Sequence, residues 1–66
     1  MPNKDAFEFA LKKGMIRNVG KIQYHQFHWY LLKHRALDDA LDARHYGFNA
    51  RVIPKHGGWS LVVRKR

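Results

Sequence analysis

Cysteine is absent from the chain, so neither a disulfide frame nor a thiolate zinc site can hold it together, and a small secreted scaffold is disfavoured. Acid is scarce as well: five Asp/Glu face thirteen Lys/Arg, which gives a net charge of +8 and a pI near 10.3. Long apolar runs are missing. No stretch approaches the roughly 18 apolar residues of a membrane span, and the opening Met-Pro-Asn-Lys-Asp lacks the apolar core of a signal peptide, so a cytoplasmic protein with no membrane partner is expected. Sixty-six residues allow one small domain, 1–66, and a chain of this size buries only about 60% of its unfolded surface. Little core remains for an elaborate active site, and the nine aromatics permit added stability from a homodimer.

What is present is cationic and unevenly placed. Residues 1–33 hold six basic and two acidic residues, 34–47 hold two basic and three acidic, and 48–66 hold five basic and no acid. An excess of this size repels itself unless an anion is normally bound, and nucleic acid is the commonest such anion.

Asn3 is placed to cap a first helix over 4–13, with Phe7, Ala10 and Leu11 on one face and Gly14 at its end. Residues 15–21 read as a connection in which Met15-Ile16 is able to begin a short strand. Two readings compete over 22–46. As one helix, the segment puts Phe27, Tyr30, Leu31, His34, Leu37 and Leu41 on one stripe and Trp29, Leu32, Ala36, Ala40 and Ala43 on a second. As a strand over 22–33, dense in β-favouring aromatics, it hands over to a helix beginning near Arg35. The spacing favours the helix, and only 36–44 is helical in both readings. Gly47 marks the stop.

The last segment, 48–66, alternates as a β-hairpin does. Phe48, Ala50 and Val52 share one face of its first run and Trp59, Leu61 and Val63 one face of its second, with His56-Gly57-Gly58 between them. Parity then points Arg51, Lys55, Arg64 and Arg66 away from the core, whatever the register. A turn at Gly57-Gly58 would set Arg51 directly opposite Arg64. The whole is expected to be an α+β domain of N-terminal helix, central helix or strand then helix, and C-terminal hairpin, an order that suits a winged-helix-like protein. In that setting Asp38, Asp39 and Asp42 would keep the helix before the hairpin away from phosphates.

The function expected from these residues is non-enzymatic binding of nucleic acid by an accessory or regulatory protein. Duplex DNA is preferred to RNA, because the hairpin offers cations but few free aromatics. Arg51, Lys55, Arg64, Lys65 and Arg66 would contact phosphates, with Lys12, Lys13, Arg17 and Lys21 as a second patch. Tyr24 and Trp59 invite a stacking role, but Trp59 is in phase with Leu61 and Val63, as are core residues. A basic inhibitor or adaptor seated on an acidic protein is the first alternative, since carboxylates accept the same guanidinium contacts. His25 and His28 lie three apart, yet no Cys, His-Glu-x-x-His or adjacent carboxylate completes a metal site, and no cofactor is expected. The run Gly20-Lys21-Ile22-Gln23-Tyr24-His25-Gln26-Phe27-His28, following a helix and a glycine, resembles the first half of HicA-type RNA-cleaving toxins. That resemblance implies a second alternative, general acid-base cleavage of RNA through His25. Those toxins end in a helix after their sheet, whereas this chain ends in a hairpin.

Overall fold

The computed structural model describes residues 2–66, in the order α1 (Lys4–Lys13), β1 (Ile16–Val19), β2 (Ile22–Tyr30), α2 (Lys33–His45), β3 (Phe48–Lys55) and β4 (Gly58–Lys65). The strands form one antiparallel sheet in the order β1-β2-β4-β3. Both helices cover one face of it: α1 lies over β2 and β4, and α2 over β3 and β4. Among the described residues the opposite face carries no second layer.

α1 begins as its sequence dictates. Asn3 Oδ1 accepts from the Ala6 amide at 2.9 Å, and the basic residues Lys12 and Lys13 fall in the last turn, where they complement the helix dipole. Gly14 ends the helix in extended backbone rather than in the left-handed region, so conformational freedom is not its role. A Cβ there would sit 2.3 Å from the Gln26 carbonyl oxygen; the glycine lets α1 run directly against β2.

Residues 22–30 are strand, not helix, and α2 starts at Lys33. A β-bulge explains why the segment imitates helical spacing. The register between β2 and β4 shifts between Gln26 and His28, so Phe27 and Tyr30, three apart, both turn toward the helices, Phe27 stacking 4.6 Å from Phe7 and Tyr30 bonding to Asp39. Two strands also stand between α1 and α2, so the helices do not form a helix-turn-helix pair ahead of the hairpin. In α2 it is the alanine stripe, Ala36, Ala40 and Ala43, that is fully buried, while Leu37 and Leu41 are exposed. Small side chains let the helix approach β3 and β4 closely enough to meet Phe48, Ala50, Leu61 and Val63. Burying a residue such as Leu61 contributes about 1.5–3 kcal/mol.

The hairpin closes through His56-Gly57, both with positive φ (50° and 76°), the two-residue turn whose twist matches paired strands. Lys55 therefore pairs with Gly58, and Arg51 lies opposite Val62 rather than Arg64, whose partner is Asn49. The slip from the expected register is two residues, which leaves every side chain on its expected face.

Candidate nucleic-acid interface on the open sheet face

Directly opposed residues in an antiparallel pair share a face, so the register sorts the sheet. Toward the helices point Phe48 with Lys65, Ala50 with Val63, Val52 with Leu61, and Pro54 with Trp59. Away from them point Asn49 with Arg64, Arg51 with Val62, and Ile53 with Ser60. β2 adds Gln26 beside Val62 and Trp29 beside Ser60 to this open face, and β1 adds Arg17 beside Tyr24. Arg17, Arg51, Lys55 and Arg64 thus share one surface. Arg66 joins them, donating from Nε to Asn49 Oδ1 at 3.1 Å.

All five carboxylates lie on α1 and α2: Asp5, Glu8, Asp38, Asp39 and Asp42. The sheet, its turns and the C-terminus hold Arg17, Lys21, Arg51, Lys55, Arg64, Lys65 and Arg66 with no acid among them. The molecule is therefore electrically two-sided, with a near-neutral helical layer and a cationic sheet. Among the described residues no acidic side chain neutralises the open face, and an anion docked there meets a field of predominantly one sign.

The cations are positioned by aromatics and amides. The Arg64 guanidinium lies 5.9 Å from the centre of the Tyr24 ring, which is buried beneath it, and its Nε is enclosed with no partner. Lys55 reaches Gln26 Oε1 with its Nζ at 3.4 Å. At the other end of the face, Trp29 crosses β4: its Nε1 donates to the Lys55 carbonyl at 2.8 Å, and its ring rests on Gly58, where a Cβ would come within 2.2 Å of Cζ2. Trp29 remains 38% exposed. Ser60, beneath it, is fully buried with an unpartnered hydroxyl.

The remaining expected contact residues lie off the open face, and two of them, Lys12 and Lys65, come together beside α1. Lys65 faces the helices and, with Lys4, Glu8, Lys12 and Arg66, lines a hollow of about 480 Å³ beside α1. Lys13 is exposed on α1 and Lys21 follows Gly20 in the tight turn between β1 and β2. Of the second patch, only Arg17 joins the hairpin cations on the open face. Trp59 turns inward as expected and is capped by Lys33, whose Nζ sits 4.8 Å above its ring.

His25 and His28 pair with Val63 and Leu61, residues of the helix-covered face, and so lie on the side away from Arg51 and Arg64. Among the described residues no three His, Cys, Asp or Glu converge as a metal-holding group. Also on the helix side, Tyr30 donates its hydroxyl to Asp39 Oδ2. Burial first, then that bond and the charges of Asp39 and Asp42, push the Tyr30 phenol well above the usual tyrosine range.

Trp29 is the surface residue that the sequence did not single out. Two positions from Phe27, it would share that residue's face in a regular strand, and only the bulge turns it to the other side. Among the described residues no helix is long and apolar enough to cross a membrane. Comparison with protein-family models, curated proteins and solved structures finds no match to this chain, so what the open face binds is argued from its own chemistry.

Proposed function

We propose that this protein binds nucleic acid through the open face of its sheet, as a non-enzymatic accessory or regulatory factor of the cytoplasm. The carrying observation is the segregation of charged side chains: every Asp and Glu is on the helices, and Arg17, Arg51, Lys55, Arg64 and Arg66 share a face that has none. Phosphates supply the complementary charge at high density, and arginine meets them with paired N–H donors. The three aspartates of α2 line a hollow between that helix and the end of β2, which Trp29 borders, and the arginines of the open face are not among its lining residues.

The protein meets its ligand with a surface rather than with a protruding ribbon. β4 is an interior strand, flanked by β2 and β3, so the hairpin is not free to enter a groove alone. Four strands at a spacing of about 4.8 Å span roughly 14 Å, more than the roughly 12 Å width of a major groove.

An amide NMR titration at low salt with a short DNA duplex, a DNA strand and an RNA strand tests the reading. Shifts are expected at Arg17, Tyr24 and Gln26 and along 49–55 and 60–66, with the outer faces of α1 and α2 silent. Absence of binding to all three would overturn it and put an acidic protein surface in place of nucleic acid.

A further inference from the structure

We infer that the ligand of this face is single-stranded, with an unpaired base stacked on the indole of Trp29. The inference rests on the nucleic-acid reading above and adds what the ligand must expose.

Tryptophan offers a ligand two things, one N–H donor and the faces of its ring. In Trp29 the donor is already committed to the Lys55 carbonyl at 2.8 Å. One side of the ring is also committed, since it lies against Gly58, the position on β4 where a side chain would collide with it. With its donor committed and one side against Gly58, the 38% of the residue that is exposed cannot read a base edge by hydrogen bonding through the indole and offers a ligand its remaining ring surface. Such a surface binds other flat rings, and it does so without ordering cost because the indole is already fixed.

A large apolar ring at the end of a face that carries five cations, with the hollow lined by Asp38, Asp39 and Asp42 on its other side, suits a partner that joins flat apolar groups to anions. Nucleic acid has both, but in a duplex the faces of the bases are covered by their neighbours. Only an unpaired strand presents a base face and phosphates together. The spacing accommodates both. Arg64 lies four residues along β4 from Ser60, the neighbour of Trp29, which is about 13 Å at roughly 3.3 Å per residue. Arg51, opposite Val62, stands between the two. A strand lying along β4 therefore has a stacking site at the Trp29 end and guanidinium groups along its length. Tyr24 is not a second platform: it is only 4% exposed, beneath Arg64.

The test uses the intact chain and four labelled ligands of equal phosphate number: an oligothymidylate, an oligouridylate, an abasic strand that keeps the phosphates and removes the bases, and a DNA duplex. Affinities come from fluorescence anisotropy, and the Trp29 indole N–H is followed by NMR. Stacking of one base is worth about five- to 150-fold in affinity by substitution. The base-bearing strands are expected to bind tighter than the abasic strand by a factor in that range and to shift the Trp29 indole resonance, which the abasic strand leaves in place. Trp29→Leu should bring base-bearing and abasic strands to equal affinity, and Trp29→Phe should restore part of the difference. Preference for thymidylate over uridylate, or the reverse, assigns the strand as DNA or RNA.

Equal binding of base-bearing and abasic strands by the unaltered protein, or tightest binding to the duplex, would overturn the stacking site while leaving phosphate binding standing. Failure of all four ligands to bind would instead overturn the reading on which it rests. The comparison within the unaltered protein decides the matter even where Trp29→Leu fails to fold.

Discussion

Replacing Arg51 and Arg64 together by glutamine removes two of the five cations on the open face while keeping enough aliphatic stem at Arg64 to cover Tyr24. Each phosphate neutralised contributes about 0.9 to the slope of log affinity against log salt for a duplex and about 0.7 for a single strand. Contacts from Arg17, Arg51, Lys55, Arg64 and Arg66 therefore give a slope of about −3.5 to −4.5, and the double variant about −2.1 to −2.7. Between about 50 and 200 mM salt, the unaltered protein should lose about 130- to 500-fold in affinity and the variant about 20- to 40-fold. Anisotropy titrations at several salt concentrations measure both slopes. The matching control is Lys12→Gln with Lys13→Gln, which removes the same charge from α1 in the helical layer and should leave the slope unchanged. An unaltered slope in the sheet variant, or an equal flattening in the helix control, would refute the assignment of the open face.

Gly58→Ala would put a methyl group 2.5 Å from the Tyr30 carbonyl oxygen as well as against Trp29, and the backbone cannot yield without opening the β2–β4 ladder. The expected cost is about 1–3 kcal/mol, a large share of the roughly 3–10 kcal/mol typical of a chain this size, so the melting temperature should fall by at least about 4 °C; an unchanged value would be inconsistent with the packing. The Tyr30 phenol stays protonated in the fold to well above its unfolded value, first because it is buried and then because of Asp39 and Asp42. Its contribution is therefore complete below the unfolded value of about 10 and is lost as pH rises beyond it toward the folded one, so the urea midpoint should decline above about pH 10, and less steeply in Tyr30→Phe.

Much of the fold is legible in local chemistry. Asn3 starts α1, the apolar pair Phe7 and Ala10 marks its buried side, Gly47 with its φ of 93° stops α2, and the alternation of 48–63 makes a hairpin. The inward and outward sides of that hairpin survive even a misplaced turn, because a two-residue slip preserves parity. The start of α2 is not legible for an equally local reason. Leu32 occupies its N-cap without a side-chain bond, and Leu31-Leu32 contains none of the residues that ordinarily announce a break between strand and helix. Leu37 and Leu41 look like core in any helical projection, yet only the close approach of α2 to the sheet selects the alanines instead.

The sequence by itself determined that the protein is a small cationic α+β domain, that its last segment is a two-sided hairpin, and which of that hairpin's cations point outward. These follow from composition and from the two-residue period of a strand, neither of which depends on distant contacts. Tertiary structure alone decided that Arg17 joins those cations, that no acidic side chain stands on their strands, and that Trp29 lies across Gly58 at the end of the same face. Strand order and a single bulge set these relations, and both arise from long-range pairing between β2 and β4, segments some thirty residues apart in the chain. The expected basic ribbon is thereby part of a broader surface, a cationic sheet face with one fixed aromatic ring at its end.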